Sequence, residues 1–220
     1  MKINIAIDGP SGAGKSTISD ILALKLGYVH LDTGAMYRSV AYLGLKKGLK
    51  MDEEEKVVKM IEEEMDLVQN PDNSIICNGE DITDKIRTNE ISMAASDVSK
   101  LKNVRKALVA MQQKIASKKG YIVDGRDICE VVLPDAEVKI FLTASAEDRA
   151  QRRLLQNKEK GIEGDYETIL EDIKKRDYQD SHRENSPLHK TDDATLIDSS
   201  NLSIDEVVEI IMKMVNEKLD

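Results

Sequence analysis

The chain has 220 residues, 40% of them hydrophobic and 33% charged, and a formal net charge of -9, a balance that suits one globular domain or one domain carrying an insertion. No uncharged apolar run approaches the ~18 residues of a membrane span, and Met1-Lys2-Ile3-Asn4-Ile5 leads into a glycine-rich loop instead of the longer apolar core of a signal peptide. No membrane association and a cytoplasmic location are therefore expected. Cys77 and Cys129 lie far apart with no second Cys or His at ligand spacing, which supports neither a disulfide framework nor a zinc site. An acidic chain repels phosphate as a whole, so nucleic acid is not an expected partner, and any phosphate must be gripped locally.

In chain order, Ile3, Ile5 and Ile7 alternate with polar or small residues as a short strand. Ile18, Ile21, Leu22 and Leu26 then fall at helical spacing before Gly27. The interval Met51 to Asp84 breaks this rhythm with an acidic helix near Glu53-Met65 and turn signals at Asn70-Pro71-Asp72-Asn73 and Asn78-Gly79, and reads as a small helix-plus-hairpin insertion. Strand character returns at Tyr121-Ile122-Val123, at Val138-Lys139-Ile140-Phe141-Leu142 and at Leu196-Ile197, the last two each followed by a helical pattern. Short apolar strands alternating with helices predict an α/β fold, a parallel sheet with helices on both faces. Between two helical patterns, Lys158, Lys160, Gly161 and Gly164 mark a break that suits a mobile lid. Ser203-Ile204-Asp205-Glu206 matches a capping box, with Val207, Ile210, Ile211 and Met214 as the face to be buried.

Gly9-Pro10-Ser11-Gly12-Ala13-Gly14-Lys15-Ser16 satisfies the pattern G-x-x-x-x-G-K-[ST], directly after one strand and directly before one helix. Glycines let the backbone wrap a phosphate with its N–H groups inward, the helix N-terminus adds positive partial charge, Lys15 reaches the outer phosphates and Ser16 suits Mg2+. Such a loop indicates a nucleoside triphosphate without naming the reaction. A GTPase would carry Asn-Lys-x-Asp, and His189-Lys190-Thr191-Asp192 lacks the Asn. Arginine recurs where strands and loops open toward the loop: Arg38 after Asp32-Thr33-Gly34, Arg126 past the strand ending at Asp124, and Arg149, Arg152 and Arg153 on one helix face. Arg176 and Arg183 fall seven apart, on one side if their helix runs through. Such a set suits phosphoryl transfer, which requires positioning and charge neutralisation; for Arg149, Arg152 and Arg153 an ordinary solvated helix face is the alternative.

These residues bring the chain to a known pattern. Along nearly its whole length it resembles the bacterial cytidylate (CMP) kinases. The likeness rests on Ile7 through Thr17, on Leu31-Asp32-Thr33-Gly34-Ala35-Met36-Tyr37-Arg38, on Ile86-Arg87-Thr88 with Ala94-Ala95-Ser96 and Val104-Arg105, on Asp124-Gly125-Arg126-Asp127, and on Ile173-Lys174-Lys175-Arg176-Asp177 with Asp180 and Arg183. The resemblance implies a P-loop kinase that phosphorylates CMP or dCMP from ATP with Mg2+, acting as a monomer. It implies a core over about 1–35, 100–150 and 190–220, a monophosphate-binding part over about 36–99 and a lid over about 150–170. Gly9, Pro10, Ser11, Gly12, Ala13, Gly14, Lys15, Ser16 and Thr17 then correspond to the ATP phosphate loop, with Ser16 toward the metal. Thr33, Arg38, Ser96, Arg105, Arg126, Asp127, Arg176, Asp180 and Arg183 correspond to CMP contacts. Lys15, Arg126, Arg153 and Arg183 stand nearest the chemistry, Arg153 as the lid arginine. The chain departs from the family where Ile128-Cys129-Glu130 follows Asp127 in place of a residue and Gly-Thr, so the loop is expected either to avoid left-handed backbone there or to take a different path. Rival readings are a small kinase for UMP or a metabolite such as shikimate, and a nucleotide-binding module without turnover.

Overall fold

The computed structural model describes residues 2–159 and 161–219, so that Lys160, included in the expected lid, lies outside the described residues. The chain divides into two compact units, residues 1–28 with 120–220 and residues 29–119.

In the first unit, strand β1 (Ile5–Asp8) runs into the glycine-rich loop and helix α1 (Lys15–Leu26), which Gly27 ends in left-handed backbone at φ 63°. Two parallel strands flank β1. Beyond the second unit in sequence, β6 (Tyr121–Gly125) pairs Ile5 with Ile122 and Asp8 with Gly125, while β7 (Val138–Thr143) pairs Ile5 with Val138. Strand β8 (Thr195–Asp198) adds to β7 in the same sense, giving the order β6-β1-β7-β8. Helices α6 (Ala146–Glu159) and α7 (Tyr166–His182) pack on each other, and α8 (Ile204–Leu219) closes the chain. The core lies between one sheet face and α1 and α8, where Ile5, Ile7, Leu22, Ile122, Ile140, Leu142 and Ile211 are fully buried. Each contributes ~1.5–3 kcal/mol relative to exposure. The capping box forms, Ser203 N–H donating to Glu206 Oε2 at 2.8 Å and Glu206 N–H to Ser203 Oγ at 3.2 Å. The buried face of α8 is Val207, Val208, Ile211 and Val215, whereas Ile210 is exposed because it falls one step round the helix.

The second unit holds β2 (Val29–Asp32), α2 (Thr33–Lys46), α3 (Glu54–Glu64), α4 (Asn89–Val98) and α5 (Lys102–Ala116), with α2 packed on α4 and α3 on α5. Between α3 and α4 lies an antiparallel sheet of β3 (Leu67–Gln69), β4 (Ile75–Cys77) and β5 (Glu80–Asp81). Its turns follow the sequence signals. Asn73 takes φ 66° in the first, and Asn78 and Gly79 take φ 51° and 77° in the second, the pair of positive values a two-residue hairpin demands. Strand β2 escaped the sequence reading, because four residues after a helix-ending glycine are too few to show a period.

Candidate active site

All strands of the first unit's sheet are parallel, so their carboxyl ends share one edge, and the loop after β1, the turn after β6 and Ser199 after β8 emerge together there. Gly9 takes φ 152°, and a Cβ on it would lie 1.9 Å from the Leu142 carbonyl oxygen, so only glycine lets the loop pass β7 this closely. Lys15 is buried, and its ammonium donates to the Gly9 and Pro10 carbonyls, both at 2.8 Å. Burial, reinforced by the nearby Arg126 cation, pushes the Lys15 pKa down to about 7. Ser16 and Thr17 stand exposed on the first turn of α1, and Ser16 Oγ donates to Asp124 Oδ2 at 3.1 Å.

Asp124, at the carboxyl end of β6 and facing Ser16, is a further candidate site residue that the sequence reading did not single out. It is the last acidic residue of an apolar strand, the position at which P-loop proteins place a metal-orienting carboxylate, and that signal was available. Asp8 was also missed. It is buried and accepts the Ile128 and Cys129 N–H groups, both at 2.8 Å, while burial raises its pKa. These bonds hold a single π-helical turn, Ile128–Val132, in which none of Ile128, Cys129 and Glu130 adopts positive φ. Of the two expected outcomes at Ile128-Cys129-Glu130, the turn takes the one that avoids left-handed backbone and so needs no glycine. The Cys129 thiol is packed against the Ala6 and Ile140 carbonyls, and burial drives its pKa up, away from thiolate chemistry.

Arg126 follows directly. Its Nε donates to Asp180 Oδ2 at 2.6 Å, and although burial opposes its charge, Asp180, Asp124 and Asp8 outweigh that and raise its pKa. Burial likewise opposes the Asp180 carboxylate, but Arg126, Arg183 and Lys15 hold its pKa below the usual range. Arg183 Nη2 lies 3.8 Å from Asp127 Oδ1, both side chains under 10% exposed. Arg176, on α7, has its pKa lowered by burial and by the Arg153 and Arg126 cations nearby. Arg183 does not share a helix face with Arg176. The helix ends at His182, Arg183 turns to extended backbone, and its Nε donates to the Ser186 carbonyl at 2.6 Å.

The three arginines of α6 have different fates. Arg153 is exposed. Arg152 donates to the Ser199 carbonyl at 2.6 Å and to its hydroxyl at 3.1 Å. Arg149 is buried, donates to the loop carbonyl of Ser11 at 3.0 Å, and forms two bonds with Asp177 of α7 at 3.0 and 2.6 Å. Its aliphatic stem packs over Gly12, where a Cβ would lie 3.4 Å away. Arg149 and Arg152 are therefore neither free ligand arginines nor a solvated face. They buttress the loop. Arg149→Leu is expected to cost about 3 kcal/mol of unfolding free energy, as breaking a buried ion pair does, seen as a lower urea midpoint at unchanged slope.

The second unit carries the remaining candidates. Thr33 is buried at the start of α2, capped by Asp32, whose Oδ1 accepts from Ala35 N–H at 2.8 Å. Asp32 Oδ2 accepts from Arg38 at 2.9 Å. Although burial opposes the carboxylate, Arg38 and His30 hold its pKa low. Ser96 lies on α4, and its carbonyl accepts from Ser99 Oγ at 2.8 Å. Arg105 of α5 is buried, donates to the Ser99 carbonyl at 3.2 Å and stands 5.8 Å from the Tyr37 ring centre, a cation–π distance.

A strand, glycine-rich loop and helix on a parallel sheet, with lysine and serine at the helix start and a strand-end carboxylate facing that serine, define a P-loop nucleotide-binding protein of the kinase fold. The family model for cytidylate kinase matches residues 5–217. The chain is 53% identical over 215 residues to the cytidylate kinase of Caldicellulosiruptor saccharolyticus and 52% identical over 215 residues to that of Caldicellulosiruptor bescii, each alignment covering 97% of this chain and 95% of the relative. Among solved structures, a gluconokinase from Sinorhizobium meliloti superposes with a TM-score of 0.50 at 14% identity, over 98% of this chain and 93% of that one, a likeness of fold alone. The chain belongs to the cytidylate kinase family.

Proposed function

We propose that the chain transfers the γ-phosphoryl group of ATP to CMP or dCMP, giving ADP and CDP or dCDP. The observation that carries this reading is the joint presence, at one sheet edge, of the Lys15 loop, the Ser16–Asp124 pair and the Arg126–Asp180 pair, in a chain of the cytidylate kinase family. The acceptor is a phosphate oxygen ionised near neutral pH, so no strong general base is required, and positioning with charge neutralisation supplies the rate. Backbone N–H groups of the Gly9–Thr17 loop, Pro10 excepted because it has none, hold the ATP phosphates, and Lys15 leaves its loop carbonyls for the outer ones. A hydroxyl and a carboxylate are hard oxygen donors of the kind Mg2+ accepts beside nucleotide phosphates, so Ser16 and Asp124 would hold that ion, which when bound neutralises the β- and γ-oxygens.

Arg38, Arg126 and Arg183 take the acceptor phosphate; the buried Nε of Arg38 has no hydrogen-bond partner among the described residues, which supports an external acceptor. Ser96, Arg105 and Asp127 read the cytosine edge, Asp180 accepts from sugar hydroxyls, Thr33 and Arg176 complete the contacts, and Arg153 clamps the transferring group from a lid over about 150–170. The protein works as a cytoplasmic monomer without nucleic acid or membrane partners. Among the described residues no helix is long and apolar enough to cross a membrane. Coupled ADP release with CMP, dCMP, UMP, AMP and GMP offered separately tests the reading: turnover confined to CMP and dCMP is expected, equal turnover on UMP overturns the cytosine assignment, and silence with all five overturns the kinase.

A further inference from the structure

Asp32 is held from two sides. Its carboxylate caps α2 and binds Arg38, as described, and its backbone is gripped by Gln69. The Asp32 N–H donates to Gln69 Oε1 at 3.0 Å, and Gln69 Nε2 donates to the Asp32 carbonyl at 2.8 Å. One side-chain amide thus pairs with both backbone groups of one residue, as a neighbouring strand would. The two residues are 37 apart in sequence. Gln69 is the last residue of β3, in the inserted sheet, and it is fixed there by the turn that follows: Asn70 N–H donates to the Ser74 carbonyl at 2.9 Å, and Asn70 Nδ2 to Ser74 Oγ at 2.9 Å.

We propose that Gln69 is a positioning residue for the acceptor-phosphate arginine, through which the inserted sheet sets the affinity for the nucleoside monophosphate. Arg38 has its guanidinium anchored on Asp32 Oδ2, and the space for that pair exists because residue 34 is glycine; a Cβ there would lie 3.0 Å from Asp32 Oδ1 and 3.1 Å from Arg38 Nη1. Any rotation of the Asp32 backbone therefore moves Thr33 and swings Arg38 with it. Only an amide supplies a donor and an acceptor in one plane at this spacing. Leu at position 69 leaves both Asp32 groups unmatched, Glu keeps the acceptor but turns a second oxygen on the Asp32 carbonyl, and Asn presents the same groups one methylene short.

This inference rests on the proposed role of Arg38, and the experiment separates the two. Initial rates are measured for the parent, Gln69→Leu, Gln69→Asn and Arg38→Met, with CMP varied at saturating ATP and ATP varied at saturating CMP, and folding is checked by thermal melts. Gln69→Leu is expected to raise KM for CMP by about tenfold while KM for ATP stays within about twofold, with Gln69→Asn between parent and Leu. Arg38→Met should raise KM for CMP at least as much, and the double variant Arg38→Met/Gln69→Leu should be no worse than Arg38→Met alone. If Arg38→Met raises KM for CMP and folded Gln69 variants do not, the inference falls and the acceptor reading stands. If Gln69→Leu fails to fold, Gln69→Asn decides by the same comparison. Parallel loss of both KM values, or full additivity in the double variant, also overturns the inference, since a merely structural role produces either. An unchanged KM for CMP in Arg38→Met overturns the acceptor reading itself.

Discussion

Lys15→Ala is expected to lower turnover by about 10^3-fold, the scale on which one positioned cation acts in phosphoryl transfer, while leaving the melting temperature at neutral pH close to that of the parent. The two halves of this expectation have one cause. Lys15 is buried, with a pKa held at about 7 against an ordinary 10.5, so its charge is unfavourable to the folded state even as the proposed reaction uses that charge on the outer phosphates. Between pH 7 and 10.5 the unfolded chain binds more protons at this residue than the folded one, and stability from this group therefore rises with pH across that window. Removing Lys15 removes that slope. Melting temperatures of parent and variant followed from pH 6.5 to 9.5 should show the variant at its relative best at the acid end and the parent gaining on it as pH rises. A pH-independent difference would contradict the desolvated lysine, and near-normal turnover would contradict its role.

Arg183→Ala should lower turnover comparably, by about 10^2–10^3-fold, but here the melting temperature falls with it. Arg183 faces the buried Asp127 carboxylate and holds the Ser186 carbonyl, Ser186 itself standing in left-handed backbone at φ 50°. Truncation takes away the cation beside a buried carboxylate and the bond securing that turn, together worth about 3 kcal/mol. Arg183→Lys separates the two losses. It keeps a charge near Asp127 but not the planar fork, and should recover most of the stability and little of the turnover. Recovery of turnover by Lys would show that charge alone is used there.

What was legible beforehand follows from how local each signal is. The P-loop is eight consecutive residues with a strand before and a helix after, and every feature that makes it bind phosphate is written in that window. The parallel sheet was legible because buried strands read as apolar runs. Arg149, Arg152 and Arg153 were not separable, because a helix wheel says which residues share a side and not what stands opposite. Only the fold shows that Asp177 and Ser11 meet Arg149 and that Ser199 meets Arg152. Arg176 and Arg183 were placed together by a period that stops one residue too early. Gln69 had no signal at all, since a glutamine at the end of a short strand looks like any polar turn residue until the backbone it grips, 37 residues upstream, is brought beside it.

The interruption of the first unit by the second has a consequence for how the chain is made. Strand β1 is synthesised before the second unit, yet both of its sheet neighbours, β6 and β7, lie beyond residue 120. The second unit is one continuous stretch whose packing partners are close in sequence, whereas the phosphate loop closes only with contacts more than a hundred residues apart. During translation, helices α2 to α5 and the sheet of β3, β4 and β5 can therefore pack on one another while β1 waits unpaired, a short apolar strand with both edges open. Slow elongation through the stretch that follows residue 119 prolongs that exposure, and the emergence of Tyr121–Gly125 and Val138–Thr143 ends it. The nucleotide loop is thus encoded ahead of the second unit and acquires its shape only after it.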